Sequence, residues 1–258
     1  MDTNHPIDPA VRAHVLDRLA DIERRENVRI LYACESGSRG WGFASPGSDY
    51  DVRFIFVRPL NQYLRLYPPR DVIEVAPGPV FDVNGWDLKK ALLLAKGNAT
   101  VVEWLSSPIV YRAESGFLAE MHNAAASVHR PERLFHHYVH MARGNYREYL
   151  QGEVVRAKKY LYVLRPVLAA LWVIERKDAP PMAFETLVDE MMTDPVVKAD
   201  IAELLVMKRT AGEREYFPRR PVLNRFLEDA FVRLDEVAMP AGEIDVRVPD
   251  SVFLAFAA

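Results

Sequence analysis

Residues 37–56 constrain the fold of this chain more than any other segment, and they read GSRGWGFASPGSDYDVRFIF. A turn rich in glycine and serine is followed by a second turn, residues 45–48, and then by Asp49 and Asp51 at the start of an apolar stretch. Glycine adopts positive φ without a steric cost, and serine hydroxyls add hydrogen-bond donors. The run therefore predicts a donor-rich loop that leads directly into a strand.

Two apolar segments predict strands on either side of this loop. Residues 28–34 (VRILYAC) precede it and residues 49–57 (DYDVRFIFV) end it, and both are rich in β-branched and aromatic side chains. Side chains two positions apart on a strand share a face, so Asp49 and Asp51 would project together. Adjacent carboxylates repel unless they share a proton or a cation, and their oxygens suit magnesium that carries a phosphate. The interpretations are therefore a shared metal ion or two solvated acids.

The glycine and serine turn is a candidate phosphate site. Backbone amides near Gly37 and the hydroxyl of Ser38 would bind phosphate oxygens, and Arg39 would either steady a phosphate or pair with Asp49. The alternative is ordinary turn chemistry, because short glycine motifs are common. The order and spacing of the turn and the two acids favour the functional interpretation.

Together these motifs resemble a known signature. A strand, a Gly-Ser turn and then Asp-x-Asp at the start of the next strand are similar to the nucleotidyltransferase superfamily typified by DNA polymerase β. GSRGWGFASPGSDYDVRFIF resembles more closely the RlaP or YcgL-like family of predicted nucleotidyltransferases linked to RNA-repair ligases. FDVNGWDLKKALLLAKGNATVVEWLSSPIVY and KKYLYVLRPVLAALWV also look like blocks of that family. The resemblance spans residues 31–227.

The resemblance implies an activity. It implies magnesium-dependent transfer of a nucleotidyl group from an NTP, ATP among them, to an acceptor hydroxyl, with an RNA 3′ end in RNA repair as one acceptor. Two magnesium ions are implied, with Mn²⁺ as a substitute. Two other interpretations stay open: transfer to a protein hydroxyl, and a nucleotide-binding or RNA-binding module without turnover.

The resemblance also implies a third carboxylate on a neighbouring strand, and Asp82 is the residue that we assign to it. Residues 79–83 form a strand-like segment, residues 84–85 (NG) predict a turn, and Asp87 is a candidate helix N-cap. Glu74, in an apolar run, is the competing third acid. One of the acids, with Asp82 preferred, would also accept the proton of the attacking hydroxyl. The catalytic and metal-binding set is thus Asp49, Asp51 and Asp82.

A helical segment in the second half supplies further candidates for nucleotide binding. Lys158, Tyr162 and Arg165 fall at i, i+4 and i+7, so they share one helical stripe, and Lys159 lies about 100° round the helix. Cations suit a triphosphate and an aromatic ring suits a base. The alternative is that basic side chains cover the outside of a core helix. Only one of the two lysines can point directly into a cleft.

The pattern changes from strands to helices near residue 112, which predicts two domains. Residues 1–112 would form an α/β (α+β) nucleotidyltransferase domain with a small mixed sheet, and residues 113–258 an all-helical domain that binds nucleotide. Residues 243–249 alternate in polarity and predict an edge strand. Lys208 and Arg209 are similar to a family block, and they are interpreted as a solvated helix end, with a functional cluster as the alternative.

Composition limits the partners and the compartment. The net charge of −3 gives no overall nucleic-acid footprint, so an RNA partner would need a local basic patch. Cys34 is the only cysteine, which excludes an internal disulfide and a zinc site made of cysteines. The sequence shows no basic and apolar leader pattern and no run of about twenty apolar residues, so we expect a cytoplasmic protein without a membrane partner.

Overall fold

The structure is a computed structural model, and it describes residues 7–76, 78, 80–210 and 215–257. The elements of the first half are α1 (Pro9–Glu26), β1 (Arg29–Glu35), α2 (Gly37–Gly40), β2 (Tyr50–Val57), α3 (Leu60–Tyr63), β3 (Val72–Glu74), β4 (Phe81–Asp87), α4 (Leu88–Leu94), α5 (Ala99–Leu105) and β5 (Val110–Ala113). Those of the second half are α6 (Phe117–Ser127), α7 (Pro131–Tyr149), β6 (Val154–Val155), α8 (Ala157–Arg176), α9 (Phe184–Met191), α10 (Pro195–Thr210), β7 (Phe217–Pro218), α11 (Pro221–Asp235) and α12 (Arg247–Ala257). The α/β class and the helical second half are confirmed.

Five strands form one mixed sheet in the order β3-β4-β2-β1-β5. Strands β2 and β4 are parallel, whereas the other neighbouring pairs are antiparallel. The register of the parallel pair places Asp51 beside Asp82. The two predicted acids therefore lie at equivalent positions of adjacent strands.

Apolar side chains cover both faces of this sheet. On one face Ile30, Phe54 and Phe56 pack with Leu19 of α1. On the other face Ile55 belongs to a cluster to which α4, α5, α6 and α12 all contribute buried side chains. Because both faces are covered, the ends of the strands are the places where polar groups can be displayed.

The packing of the chain forms two compact units. The first, the sheet unit, comprises Met1–Gly40, Asp49–His129 and Glu243–Ala258. The second, the helical unit, comprises Trp41–Ser48 and Arg130–Gly242. Helices α6 and α12 thus pack in the same unit as the sheet. The predicted domain boundary at residue 112 stays a prediction, but the division by packing falls elsewhere.

The predicted turn at residues 84–85 is wrong, because both residues lie inside β4. Gly85 pairs with Phe54 of β2, and a Cβ at Gly85 would lie 2.1 Å from the ring of Phe54. This glycine therefore makes room for a neighbouring aromatic side chain instead of turning the chain. Pro79, the first residue of the predicted strand, lies outside the described residues.

The predicted edge strand at residues 243–249 is also wrong. Residues 243–246 form no strand, and α12 begins at Arg247, with Val252 buried and with Val248, Phe253 and Phe256 packed against the first unit's core. These apolar positions follow a helical period, which the short alternating stretch concealed. Pro249 falls in the first turn of α12, where proline costs no hydrogen bond.

The second unit is built on α8, which packs against α7, α9, α10 and α11. Leu161, Leu164 and Leu168 of α8 are fully buried. Lys208 of α10 is buried too, and its Nζ donates to the hydroxyls of Ser45 (3.0 Å) and Ser48 (3.1 Å). The interpretation of Lys208 as part of a solvated helix end is therefore wrong. Throughout the described ranges, no helix is both long enough and apolar enough to cross a membrane.

Candidate functional site

The carboxylates of Asp51 and Asp82 meet at one cationic side chain. Nη2 of Arg53 donates to Oδ1 of Asp51 at 3.1 Å and to Oδ2 of Asp82 at 2.7 Å. Nη1 of Arg53 donates to the backbone oxygen of Asp82 at 3.0 Å. Arg53 lies two positions after Asp51 on β2, so both side chains leave the same face of the strand. The structure thus places two of the three predicted acids around one positive charge.

Asp49 lies just before β2 and is exposed. It is close enough to Asp51 that its negative charge contributes to the raised pKa of Asp51. Within residues 7–76, 78, 80–210 and 215–257, no three His, Cys, Asp or Glu side chains are arranged to hold a metal ion. The donor set of Asp51 and Asp82 nevertheless suits magnesium, because both groups are hard oxygen ligands that already share a cation. Metal binding by the three acids stays a prediction.

Glu74, the competing third acid, occupies a different position. It lies on β3 opposite Asn84 and pairs with Arg70 at 2.9 Å, with both side chains exposed. Asp82 lies directly beside Asp51 in the register of β2 and β4. Of the two alternatives, the geometry favours Asp82.

The glycine turn is built closely around Asp51. Gly37 has a φ of +56°, and a Cβ at Gly37 would lie 1.9 Å from Oδ2 of Asp51. The carboxylate of Asp51 therefore lies directly over Gly37, which only glycine permits. Ser38 is buried, and Nε of Arg39 donates to the backbone oxygen of Asp49 at 3.3 Å. Arg39 thus contacts the backbone of Asp49 and also stacks on the ring of Tyr50 at 3.9 Å.

A buried carboxylate, Glu35, lies on the other side of Asp51. Its Oε1 accepts the backbone N–H of Asp51 at 2.9 Å, and its Oε2 accepts the hydroxyl of Tyr111 at 2.6 Å. Glu35 has no exposed surface. Burial raises its pKa to about 7, although the two hydrogen bonds act in the opposite direction.

The pKa of Asp51 is raised as well. Burial is the main cause, and the negative charges of Asp82 and Asp49 add to it, while the guanidinium of Arg53 opposes it. A cation other than Arg53 at this position would favour the ionised carboxylate in the same way.

Helix α8 divides the predicted nucleotide-binding residues between surface and interior. Lys158 is partly exposed, and Nζ of Lys159 lies 3.3 Å from the ring centre of Tyr149 and 5.3 Å from that of Tyr162. Arg165 is only 2% exposed, donates to the backbone oxygen of Met182 at 3.3 Å and stacks on a tryptophan ring. Of the predicted stripe, Lys158 and Tyr162 are therefore partly exposed, whereas Arg165 lies in the interior.

Three residues of the site were missing from the sequence prediction. Arg53 could have been found, because it continues the alternation of Asp49 and Asp51 on one strand face. Glu35 left a weaker signal, as a single acid that ends an apolar strand. Tyr111 left none, because its contact joins positions that are 76 residues apart in sequence.

The mixed sheet, the Gly-Ser turn and the acids on adjacent strands fit a nucleotidyltransferase-like protein, and a family model supports this class. The family model described as "RlaP: RNA repair pathway DNA polymerase beta family" matches residues 11–251. The chain belongs to this family, and the predicted resemblance is confirmed.

One curated protein and one solved structure are similar to this chain. The uncharacterized protein YcgL of Bacillus subtilis (strain 168) is 41% identical over 229 residues, which cover 88% of each chain. A crystal structure of a nucleotidyltransferase-like protein from Exiguobacterium sibiricum 255-15 is 13% identical and covers 92% of this chain and 74% of that one. The TM-score of this likeness is 0.28.

Proposed function

We propose that this protein is a magnesium-dependent nucleotidyltransferase that moves a nucleotidyl group from an NTP to an acceptor hydroxyl, with pyrophosphate as the leaving group. The observation that carries the proposal is the pairing of Asp51 and Asp82, in register on parallel strands, around a single cation. Two carboxylates that share a positive charge at the end of a sheet are suited to bind a metal ion that carries phosphate. Membership of a DNA polymerase β family supports the same reaction class.

Asp49, Asp51 and Asp82 would hold two magnesium ions, with Mn²⁺ as a substitute. Magnesium bound there neutralises phosphate charge and lowers the pKa of the attacking hydroxyl. Arg53 has to give up part of its contact with Asp51 and Asp82 when the acids take up another cation. The released guanidinium is a suitable partner for a phosphate oxygen.

Asp82 is the acid that we assign to proton transfer. Its side chain is 50% exposed, compared with 27% for Asp51, so a hydroxyl reaches Asp82 more easily. A general base must lie within hydrogen-bonding distance of the proton that it accepts. Asp51, wedged against Gly37, is better suited to a fixed position as a ligand.

The triphosphate would contact the turn at Gly37, Ser38 and Arg39. Arg39 already places a positive charge next to Asp49. On the helical unit, Lys158, Lys159 and Tyr162 remain candidates for the nucleotide.

The acceptor that we propose is the 3′ end of an RNA strand. The description of the family as an RNA repair pathway family supports this choice. RNA offers a terminal hydroxyl on a polyanion, so positive side chains near the site would help to orient it. Transfer to a protein hydroxyl would use the same acids and differs only in the acceptor.

One experiment tests the reaction and the acceptor together. The protein is incubated with each α-³²P-labelled NTP, Mg²⁺ or Mn²⁺, and either RNA with a free 3′ hydroxyl or a mixture of proteins. We expect label on the RNA, none on RNA whose 3′ end is blocked, and none with Asp51→Asn. Label on protein alone would contradict the RNA acceptor. If no label is transferred in any pairing, and wild type and Asp51→Asn are indistinguishable, the protein is a binding module.

A further inference from the structure

A row of polar side chains crosses four adjacent strands of the sheet. It runs from Asp82 on β4 through Arg53 and Asp51 on β2 to Glu35 on β1 and Tyr111 on β5. Each neighbouring pair is joined by a hydrogen bond of 2.6–3.1 Å. The proposed reaction uses the Asp82 end of this row and leaves Glu35 and Tyr111 without a role.

Glu35 replaces a backbone partner at the point where the ladder between β1 and β2 ends. The backbone oxygen of Asp51 accepts the N–H of Ser36 at 2.8 Å, as in an ordinary ladder. The backbone N–H of Asp51, in contrast, donates to the side chain of Glu35. The position of Asp51 therefore depends on a side chain that does not itself reach the surface.

Glu35 is in turn fixed from the far side. The Cα pairing of β1 with β5 passes from Ala33 and Arg112 to Cys34 and Val110, which leaves Tyr111 as the extra residue of a β-bulge. Bulges redirect side chains and are common next to active sites. Here the hydroxyl of Tyr111 donates to Oε2 of Glu35, and the hydroxyl of Ser107 donates to the backbone oxygen of Glu35 at 2.6 Å.

We propose that Glu35, held by Tyr111, is a positioning residue that orients Asp51 for metal binding. This inference rests on the proposed function, since it concerns the same carboxylate. Gly37 confines the side chain of Asp51 on one side and Arg53 holds it on another. The hydrogen bond that the Asp51 N–H donates to Glu35 adds a constraint on the backbone. Partners that orient a metal ligand typically change metal affinity about 10–100-fold when they are removed.

Three variants separate positioning from a purely structural role. Glu35→Met keeps the volume and removes both acceptor oxygens, whereas Glu35→Gln keeps an acceptor for the N–H of Asp51. Tyr111→Phe removes only the hydroxyl. The matched control is Tyr32→Phe, because Tyr32 is also buried and donates its hydroxyl to the backbone oxygen of Trp104 at 2.7 Å, away from Asp51.

The measurement is Mn²⁺ binding by electron paramagnetic resonance, together with thermal unfolding of each variant. We expect Glu35→Met to weaken Mn²⁺ binding about 10–100-fold, Tyr111→Phe about tenfold, and Glu35→Gln less than about tenfold. Tyr32→Phe should lower the unfolding temperature without changing Mn²⁺ affinity. Equal Mn²⁺ affinity in wild type and in a folded Glu35→Met protein would overturn the inference.

A second measurement keeps this test separate from that of the reaction. The NMR signals of the Asp51 amide and side-chain carboxyl carbon report its orientation without any metal. If wild type neither binds Mn²⁺ nor transfers label, the proposed function fails, and these signals still decide whether Glu35 positions Asp51. We expect them to move in Glu35→Met and to stay in place in Tyr32→Phe; unchanged Asp51 signals in Glu35→Met would contradict the positioning role.

Discussion

The two compact units hold their charged side chains in different ways. In the sheet unit, Arg53 and Glu35 both make hydrogen bonds to Asp51, and the row extends over neighbouring strands. In the helical unit, the positive charges of Lys159 and Arg165 lie against aromatic rings. A substitution of Arg53 or Glu35 should therefore affect the position of Asp51, whereas the effect of a substitution on α8 is expected to stay local.

Gly37→Ala should have the largest effect, because the new Cβ would lie 1.9 Å from Oδ2 of Asp51 and displace the carboxylate. We expect nucleotidyl transfer to fall by at least about 100-fold, as for other displacements of about 1 Å at a reacting centre. The control is Gly42→Ala, since Gly42 also has a positive φ of +86° but has no atom within 4 Å of the added Cβ. Equal transfer rates in the two variants would show that the close contact at Gly37 is unimportant.

The next effect is a pH dependence of stability caused by Glu35. Burial raises its pKa from 4.5 to about 7, so the native state keeps a proton that the unfolded state releases between these pH values. Stability should therefore fall as pH rises through this window, by on the order of 3 kcal/mol. Glu35→Gln has no such titration. Urea unfolding of both proteins in EDTA measures the difference, and parallel stability curves from pH 4.5 to 7 would contradict it.

Substitutions on α8 should separate a buried cation from a surface one. Arg165→Met leaves the backbone oxygen of Met182 without this donor in the interior, and we expect a loss of about 1–3 kcal/mol in the free energy of unfolding. Lys159→Met should change stability by less than about 0.5 kcal/mol. If Lys159 contacts nucleotide, its variant instead raises the KM for the NTP. A large loss of stability in Lys159→Met and none in Arg165→Met would contradict the placement of the two side chains.

Arg53→Met should lower stability modestly and, in contrast, strengthen metal binding. Without metal, the loss of the hydrogen bonds to Asp51 and Asp82 should cost about 1–2 kcal/mol. Because Mn²⁺ no longer competes with a guanidinium, it should bind the variant more tightly and raise its unfolding temperature more than that of wild type. Arg70→Met removes an exposed ion pair with Glu74 and serves as the control. Weaker Mn²⁺ binding by Arg53→Met would show that Arg53 supports the metal instead of competing with it.

The strand that carries Asp51 was predicted correctly, because its apolar and β-branched residues favour a strand. The alternation of Asp49 and Asp51, together with Asp82 from the family resemblance, gave the three acids, whose role stays a prediction. The register of β2 and β4 was not contained in any local pattern, although it is what places Asp82 beside Asp51. Glu35 and Tyr111 meet only through the pairing of β1 and β5, so no local signal identified their contact.

On helices the sequence predicted the elements better than their surroundings. The period of α8 correctly placed its leucines in the core, but it gave only the angular position of Arg165, not its depth. The same limit applies to Gly85, which a local rule assigns to a turn and which the ring of Phe54 explains. The prediction of a strand at residues 243–249 was wrong for a related reason. The alternation of these seven residues favoured a strand, whereas the packing of α12 against α4 and α6 stabilises a helix that begins at Arg247.

The most direct test of the central claim is Mn²⁺ binding to wild type and to Asp49→Asn, Asp51→Asn and Asp82→Asn, with Glu74→Gln as the control. We predict that wild type and Glu74→Gln bind Mn²⁺ alike and that each Asp→Asn variant binds at least about tenfold more weakly, because each loses a carboxylate ligand. The same Mn²⁺ affinity in all five folded proteins, or its loss in Glu74→Gln alone, would contradict a metal site formed by Asp49, Asp51 and Asp82.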